Sequence, residues 1–185
     1  MTDAPVLPWT IDAQRPVLDL GILTVRSVRA RSQLRPDHAS DFVVLDTADW
    51  VNVIALTNDD EVVLIEQYRH GTGAITLEIP GGMVDPGEDF LTAGARELAE
   101  ETGYRGGVPE QIGVVEPNPA LQSNRCATVL VRGVRQSGAR ALDPNEEIRV
   151  RTAPLADIPG LIRDGAITHA LVVAAFHHLH LAGSP

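Results

Sequence analysis

Apolar residues gather in short runs through the first half of the chain and recur at helical spacing only later. Residues 21–30 carry Ile22, Leu23, Val25 and Val28, residues 41–46 carry Phe42, Val43, Val44 and Leu45, and both runs predict strands. Residues 51–57 and 61–66 are denser in valine and isoleucine. They flank Asn58-Asp59-Asp60, whose side chains bond the local backbone, so the pair predicts a hairpin. A short strand is expected at 75–79, followed by a bend at Pro80-Gly81-Gly82, where two glycines give the backbone unusual freedom. Residues 89–102 form the clearest helix: Leu91, Ala95, Leu98 and Thr102 recur at its period, the first turn is acidic, and Gly103 suits a left-handed stop. Strands are expected at 111–115, 127–132 and 148–151. Helices are expected at 155–163 and 168–181, the second with Leu171, Ala174, Ala175 and Leu179 on one face. Residues 1–20, with Pro5, Pro8 and Pro16 and apolar patches around Trp9 and Leu18, keep no period and read as an irregular arm. Strands, helix, strands, helix, with no internal repeat, predict an α+β or layered α/β/α fold.

With 185 residues and 44% hydrophobic content the chain can bury a core, and its length suits one domain with an appended segment. The net charge is -10, from 25 acidic and 15 basic residues, and all the basic ones are arginine. Apart from Arg26, Arg29, Arg31 and Arg35 these are scattered among carboxylates. That excludes the basic stripe of a nucleic-acid groove, whereas the surplus acid suits metal binding. Cys126 has no second cysteine for a disulfide or a C-x-x-C motif, fits a reducing cytoplasm, and reads as a small apolar group in a strand. Met1-Thr2-Asp3-Ala4-Pro5 lacks a basic segment leading into an apolar core. No apolar run approaches the roughly 20 residues of a membrane span, so the expectation is a soluble chain with no membrane partner.

The chemistry concentrates between Gly81 and Tyr104, in G-G-M-V-D-P-G-E-D-F-L-T-A-G-A-R-E-L-A-E-E-T-G-Y. Glu97, Glu100 and Glu101 stand at i, i+3 and i+4 on the expected helix, which places their β-carbons within about 6 Å of one another. Three like charges repel unless they are solvated or share a cation, and the hard oxygen donors suit Mg²⁺ or Mn²⁺. A solvated helix face is the ordinary alternative for such a run.

The spacing decides between the two. Gly82, Glu88, Arg96, Glu97, Leu98, Glu100, Glu101, Gly103 and Tyr104 match the box G-x5-E-x7-R-E-U-x-E-E-x-G-U, where U is bulky and apolar, and Tyr104 departs mildly from the usual aliphatic. Seven fixed identities at roughly 7% usage each make a chance match on the order of one in a million. The chain therefore resembles the Nudix hydrolases from about Val51 through Ile162. The phrases Gln67-Tyr68-Arg69 and Glu78-Ile79-Pro80-Gly81-Gly82 resemble the branch acting on ADP-ribose and nucleoside-diphosphate sugars.

That resemblance implies an α/β/α sandwich with a mixed sheet over residues 51–185, preceded by N-terminal strands in 1–50 that pack across a homodimer. It implies that Glu97, Glu100 and Glu101 ligand metal, helped by Glu88 and the carbonyl of Gly81 or Gly82, and that Arg96 orients a carboxylate. The implied reaction is hydrolysis of the diphosphate of a nucleoside diphosphate-X, ADP-ribose or a nucleotide sugar, to a nucleoside monophosphate and X-phosphate. The branch often carries its general base on a later loop, where Glu146 and Glu147 are the carboxylates available, each equally a solvated acid before a strand. Arg69 and Glu78 become substrate-side candidates, Arg69 as a phosphate clamp or, equally, as the partner of Glu78 in a structural salt bridge. Asn118, Asn124 and Arg125 lie in a polar, proline-bound loop, where they can bond substrate or simply make turns. Trp50 can stack a base, but core packing suits it better. His177, His178 and His180 read as a solvated helix end rather than a metal site. Two rivals stand beside this reading: a pyrophosphatase of nucleoside triphosphates, and a Nudix-fold regulator that binds nucleotide without cleaving it.

Overall fold

The computed structural model describes residues 5–183, so the extreme N-terminal sequence Met1 to Ala4 lies outside the described residues. Strands β1 (Thr10–Asp19), β2 (Leu23–Arg31) and β3 (Ala39–Thr47) form an antiparallel sheet in that order. The expected irregular arm is thus in large part a strand. β1 is exposed along its whole length and its register slips between Ile11 and Ala13 and between Pro16 and Leu18, so no two-residue alternation marks it. Pro16 is tolerated because an edge strand can lose a donor without breaking a second ladder. Cross-strand carboxylates neutralise much of the arginine group: Arg26 grips Asp46 through Nε at 2.6 Å and Nη2 at 3.0 Å, Arg29 meets Asp41 at 2.8 Å, and Arg31 meets Asp12 at 2.9 Å. Chain contacts group Met1–Ala48 with Glu116–Asn124 in one unit, and Asp49–Val115 with Arg125–Pro185 in another.

The second unit holds a mixed sheet. Its strands are β4 (Trp50–Thr57), β5 (Glu61–Arg69), β6 (Ala74–Glu78), β7 (Gly81–Met83), β8 (Tyr104–Arg105), β9 (Glu110–Val115), β10 (Cys126–Gln136) and β11 (Ile148–Pro154). The main path runs β11-β5-β4-β10-β8, with β6 beside β5, β7 beside β4 and β9 beside β10. β4 and β10 are parallel and their other pairings are antiparallel. The expected bend at Pro80-Gly81-Gly82 is in fact the entry to a short strand: Gly81 pairs with Asn52 and Gly82 with Val51, while the Pro80 carbonyl accepts from Val53 at 2.8 Å. Pairing with a distant strand overrides the local turn signal.

Helices α1 (Phe90–Thr102), α2 (Ile158–Arg163) and α3 (Ala170–Leu181) cover the two faces. Successive side chains on a strand point to opposite sides. Val51, Val53 and Ala55 of β4 accordingly pack with Ala93 and Leu98 of α1, while Ile54 and Leu56 pack with Ile158 of α2 and with Val172, Ala175, Phe176 and Leu179 of α3. This is the layered α/β/α arrangement, and each fully buried Ile or Leu contributes about 1.5–3 kcal/mol of transfer free energy. On α3, Val172 and Phe176 take the innermost places that the sequence pattern assigned to Leu171 and Ala174, because a nearly all-apolar helix does not reveal its inner face. The expected helix at 155–163 opens as a 3-10 turn over Leu155–Asp157 and becomes α2 only at Ile158.

α1 starts at an N-cap, with Asp89 Oδ1 accepting from the Thr92 amide at 2.8 Å. The negative charge therefore sits on the cap and not in the first turn, which carries no acid. The helix stops at Gly103, whose φ of 74° is the left-handed conformation open to glycine at little cost. These two signals fix the register of the helix and hence the direction of its carboxylates.

Candidate active site

α1 presents its acids along two stripes. Ala93, Glu97 and Glu101 are spaced by four residues and face inward; the Glu97 side chain is 11% exposed and Glu101 as a residue is 2% exposed. Glu100 lies to one side with its side chain 40% exposed. Arg96 ties the group together. Its Nε and Nη2 donate to the two oxygens of Glu88 at 3.1 and 2.9 Å, its Nη1 donates to Glu97 at 2.9 Å and Glu100 at 3.1 Å, and Nη2 also reaches the Met83 carbonyl at 3.0 Å. The fork to Glu88 raises the Arg96 pKa and holds the Glu88 carboxyl below its ordinary range. Among the described residues no group of three His, Cys, Asp or Glu side chains is drawn together as a metal cage. The Arg96 guanidinium is what stands among Glu88, Glu97 and Glu100.

The two buried acids meet the glycines of β7. The Gly81 amide donates to Glu101 Oε2 at 2.9 Å. A β-carbon placed on Gly82 would lie 2.4 Å from Glu97 Oε1, so the backbone there is a cradle that admits only the carboxylate. Burial raises the Glu97 pKa, and burial pushes the Glu101 carboxyl up to about 8 against the pull of the Gly81 hydrogen bond. Carboxylates buried beside one another, with oxygen as the only donor element, fit a hard divalent cation that would restore their ionised form.

A stability prediction follows for protein held in a chelator. The Glu101 pKa is raised on folding from 4.5 to about 8, so the native state keeps a proton that the unfolded chain has lost. Its stabilising contribution is present below pH 4.5 and is lost as pH rises through about 8. Thermal melts should show Tm falling across that window, with the fall removed in Glu101→Gln; a wild-type slope equal to the variant's would refute the assignment.

A cavity of about 780 Å³ opens beside these glycines, lined by Gly81, Gly82 and Met83 and, on other walls, by Trp50, Asn52, Arg69, Glu78, Glu146 and His169. Gln67 pairs with Thr76 across the β5–β6 hairpin, so Arg69, Thr76 and Glu78 fall on one of its faces. There Arg69 grips Glu78 bidentately, Nε to Oε1 at 2.9 Å and Nη2 to Oε2 at 2.8 Å. Thr76 donates to Glu78 at 2.6 Å, and His169 Nδ1 lies 2.8 Å from its Oε2. Burial alone would raise the Glu78 pKa, but bonds from Arg69, His169 and Thr76 outweigh it and hold the group well below the usual carboxylate range.

The remaining sequence candidates are distributed as follows. Glu146 lines the cavity, and its Oε2 accepts from the Asp143 amide at 3.0 Å; Glu147 is exposed and is not among the lining residues. Trp50 lines the cavity half-buried, at the edge where it pairs with Met83. Arg125 is engaged elsewhere, bonded to Asp49 at 2.6 Å with its guanidinium 5.3 Å from the centre of the Phe90 ring. Asn118 and Asn124 belong to the other unit. The Asn118 carbonyl closes a turn by accepting from Leu121 and Gln122, and the buried Asn124 amide has no partner among the described residues. His178 Nδ1 is bound to Thr128 at 3.1 Å. Cys126 is buried, and burial pushes its thiol up to about 12, which makes it inert at neutral pH.

Sequence reasoning missed His169 and Asn52. His169 precedes an apolar helix and its partner Glu78 lies 91 residues away, so no local pattern announces it. Asn52 sits in a valine-rich strand, 9% exposed, with an amide nitrogen that has no partner among the described residues.

Comparison with known proteins places this geometry. Residues 47–176 match the NUDIX domain. The methanol dehydrogenase activator of Bacillus methanolicus is 30% identical over 71% of this chain and 71% of its own. The ADP-sugar pyrophosphatase of Mus musculus is 31% identical over 72% of this chain and 62% of its own. A crystal structure titled ADP compounds hydrolase superposes with a TM-score of 0.85 over 96% of this chain and 95% of its own at 23% identity, a likeness of fold. The box residues on α1 and β7, the layered sheet and the extent of the match together establish that the chain belongs to the NUDIX domain family.

Proposed function

We propose that the protein hydrolyses the diphosphate bond of a nucleoside diphosphate-X substrate, ADP-ribose or another nucleotide sugar, releasing a nucleoside monophosphate and X-phosphate. The observation that carries this reading is the gathering of Glu88, Glu97 and Glu100 around Arg96, with Glu101 bonded to the Gly81 amide, against glycines that open onto a cavity of about 780 Å³. The relative named for ADP-sugars supports the substrate class.

A phosphoanhydride resists attack because its oxygens are anionic, so the site must spread that charge. Glu88, Glu97, Glu100, Glu101 and the carbonyl of Gly81 or Gly82 would hold divalent cations, Mg²⁺ or Mn²⁺. Such ions supply charge neutralisation and an acidified water. Arg96 keeps Glu88 and Glu97 turned toward the site. Arg69, whose Nη1 is not used on Glu78, offers donors to a phosphate oxygen on the cavity wall. Glu146 is the better placed of the two loop acids to accept the proton of the attacking water, since it lines the cavity and Glu147 does not. Water oxygen bonds to one phosphorus, the bridging P–O bond breaks, and each product leaves as a phosphate monoester.

The same reading includes a homodimer working in the cytoplasm. Ile11 and Phe42, which the register puts on one face of the three-stranded sheet, are both exposed, apolar positions that a second copy would cover. Among the described residues no helix is long and apolar enough to cross a membrane.

The test is product identification after incubation with Mg²⁺ and ADP-ribose, several nucleotide sugars and nucleoside triphosphates. Monophosphate plus sugar phosphate is expected. Preferential release of pyrophosphate from a triphosphate would move the enzyme to the triphosphate class, and binding of every compound without turnover would make it a sensor.

A further inference from the structure

We infer that His169 is a specificity-determining residue whose Nε2 hydrogen-bonds a sugar hydroxyl of the substrate. The inference rests on the hydrolase reading above.

His169 stands immediately before α3 and lines the same cavity as Arg69 and Glu146, with 35% of its side chain exposed. Its Nδ1 lies 2.8 Å from Glu78 Oε2. An ionised carboxylate can only accept, so Nδ1 carries the hydrogen and donates; that fixes which nitrogen is left over. Nε2 has no hydrogen-bond partner among the described residues. The acceptor side of Glu78 is meanwhile full: a carboxylate offers about four lone-pair positions, and Arg69 takes two, Thr76 one and His169 the fourth. A carboxylate buried this completely holds the imidazole ring as firmly as it holds the guanidinium, so Nε2 is held in place before any ligand arrives.

The pairing of neighbours indicates the ligand chemistry. Arg69 keeps unused guanidinium hydrogens next to Glu78, and His169 Nδ1 is bound to the same carboxylate, at the Oε2 that Arg69 Nη2 also uses. Guanidinium hydrogens suit a phosphate oxygen. Nε2 suits a hydroxyl, which can donate to it when the ring is neutral and accept from it when the ring is protonated. A phosphate with a hydroxyl a few bonds away is a sugar phosphate, which occurs on both sides of the diphosphate in ADP-ribose. A site that bonds such a hydroxyl discriminates against substrates lacking it, because the bound complex then loses that hydrogen bond to Nε2.

The experiment compares wild type, His169→Ala and His169→Gln on three substrates: ADP-ribose, an analogue lacking the nucleoside 2′ and 3′ hydroxyls, and ADP esterified with a simple alkyl group in place of ribose. For ADP-ribose, His169→Ala should raise KM by about tenfold with kcat within about twofold, and the amide of His169→Gln should recover most of the loss. On one of the two analogues the effect of the substitution should vanish, and which one identifies whether the nucleoside or X supplies the hydroxyl. An equal effect on all three substrates, a fall in kcat instead of a rise in KM, or no effect at all would overturn the inference. Failure of the hydrolase reading looks different, since wild type would then turn over none of the three.

Discussion

Glu97→Gln is expected to lower kcat by on the order of 10²–10³ while leaving the fold intact. Glu97 is buried, lies against the Gly82 backbone and receives Arg96 Nη1 at 2.9 Å, so it is both well packed and oriented by Arg96. The amide keeps its volume and much of its packing but loses the charge that balances a cation. Burying an ionised carboxylate is unfavourable, so without cation the variant should melt no lower than wild type. A kcat near the wild-type value would remove Glu97 from the catalytic cluster.

The second large effect comes from a residue with no functional group. Gly82→Ala retains every carboxylate, yet its new β-carbon would sit 2.4 Å from Oε1 and 2.6 Å from Cδ of Glu97. One of the two must move. The flexible side chain yields more readily than a strand paired with Val51, so the carboxylate is expected to swing out of the cradle. Loss of kcat of the same order as in Glu97→Gln should follow, with a modest fall in Tm, and the double variant should be little worse than either single one. Steady-state kinetics of the three variants check this; additive losses would show that Gly82 and Glu97 act independently.

Much of the site was legible because its geometry is local. The spacing of Glu97, Glu100 and Glu101 on a helix fixes their separation without knowledge of the rest of the chain, and the caps at Asp89 and Gly103 set where that helix begins and ends. The hairpin around Asn58-Asp59-Asp60 was legible for the same reason. Asp60 takes the positive φ, at 56°, that the turn residues foretell. Contacts across long separations were not legible. Gly81–Met83 is a strand only because β4 lies beside it, β1 has no buried face to leave a pattern, and His169 meets Glu78 across most of the domain. For Arg69 the sequence left a phosphate clamp and an ion pair with Glu78 as alternatives. The ion pair is present, and it uses only one edge of the guanidinium.

The most direct test of the central claim is a titration of Mg²⁺ into chelated protein with ADP-ribose, following AMP and ribose 5-phosphate together in wild type and Glu97→Gln. The expected result is no turnover without cation, equal release of the two products as cation is added, and a Glu97→Gln curve reduced by on the order of 10²–10³ at saturation. Turnover that ignores the cation, or that survives undiminished in Glu97→Gln, would contradict the placement of the chemistry on α1.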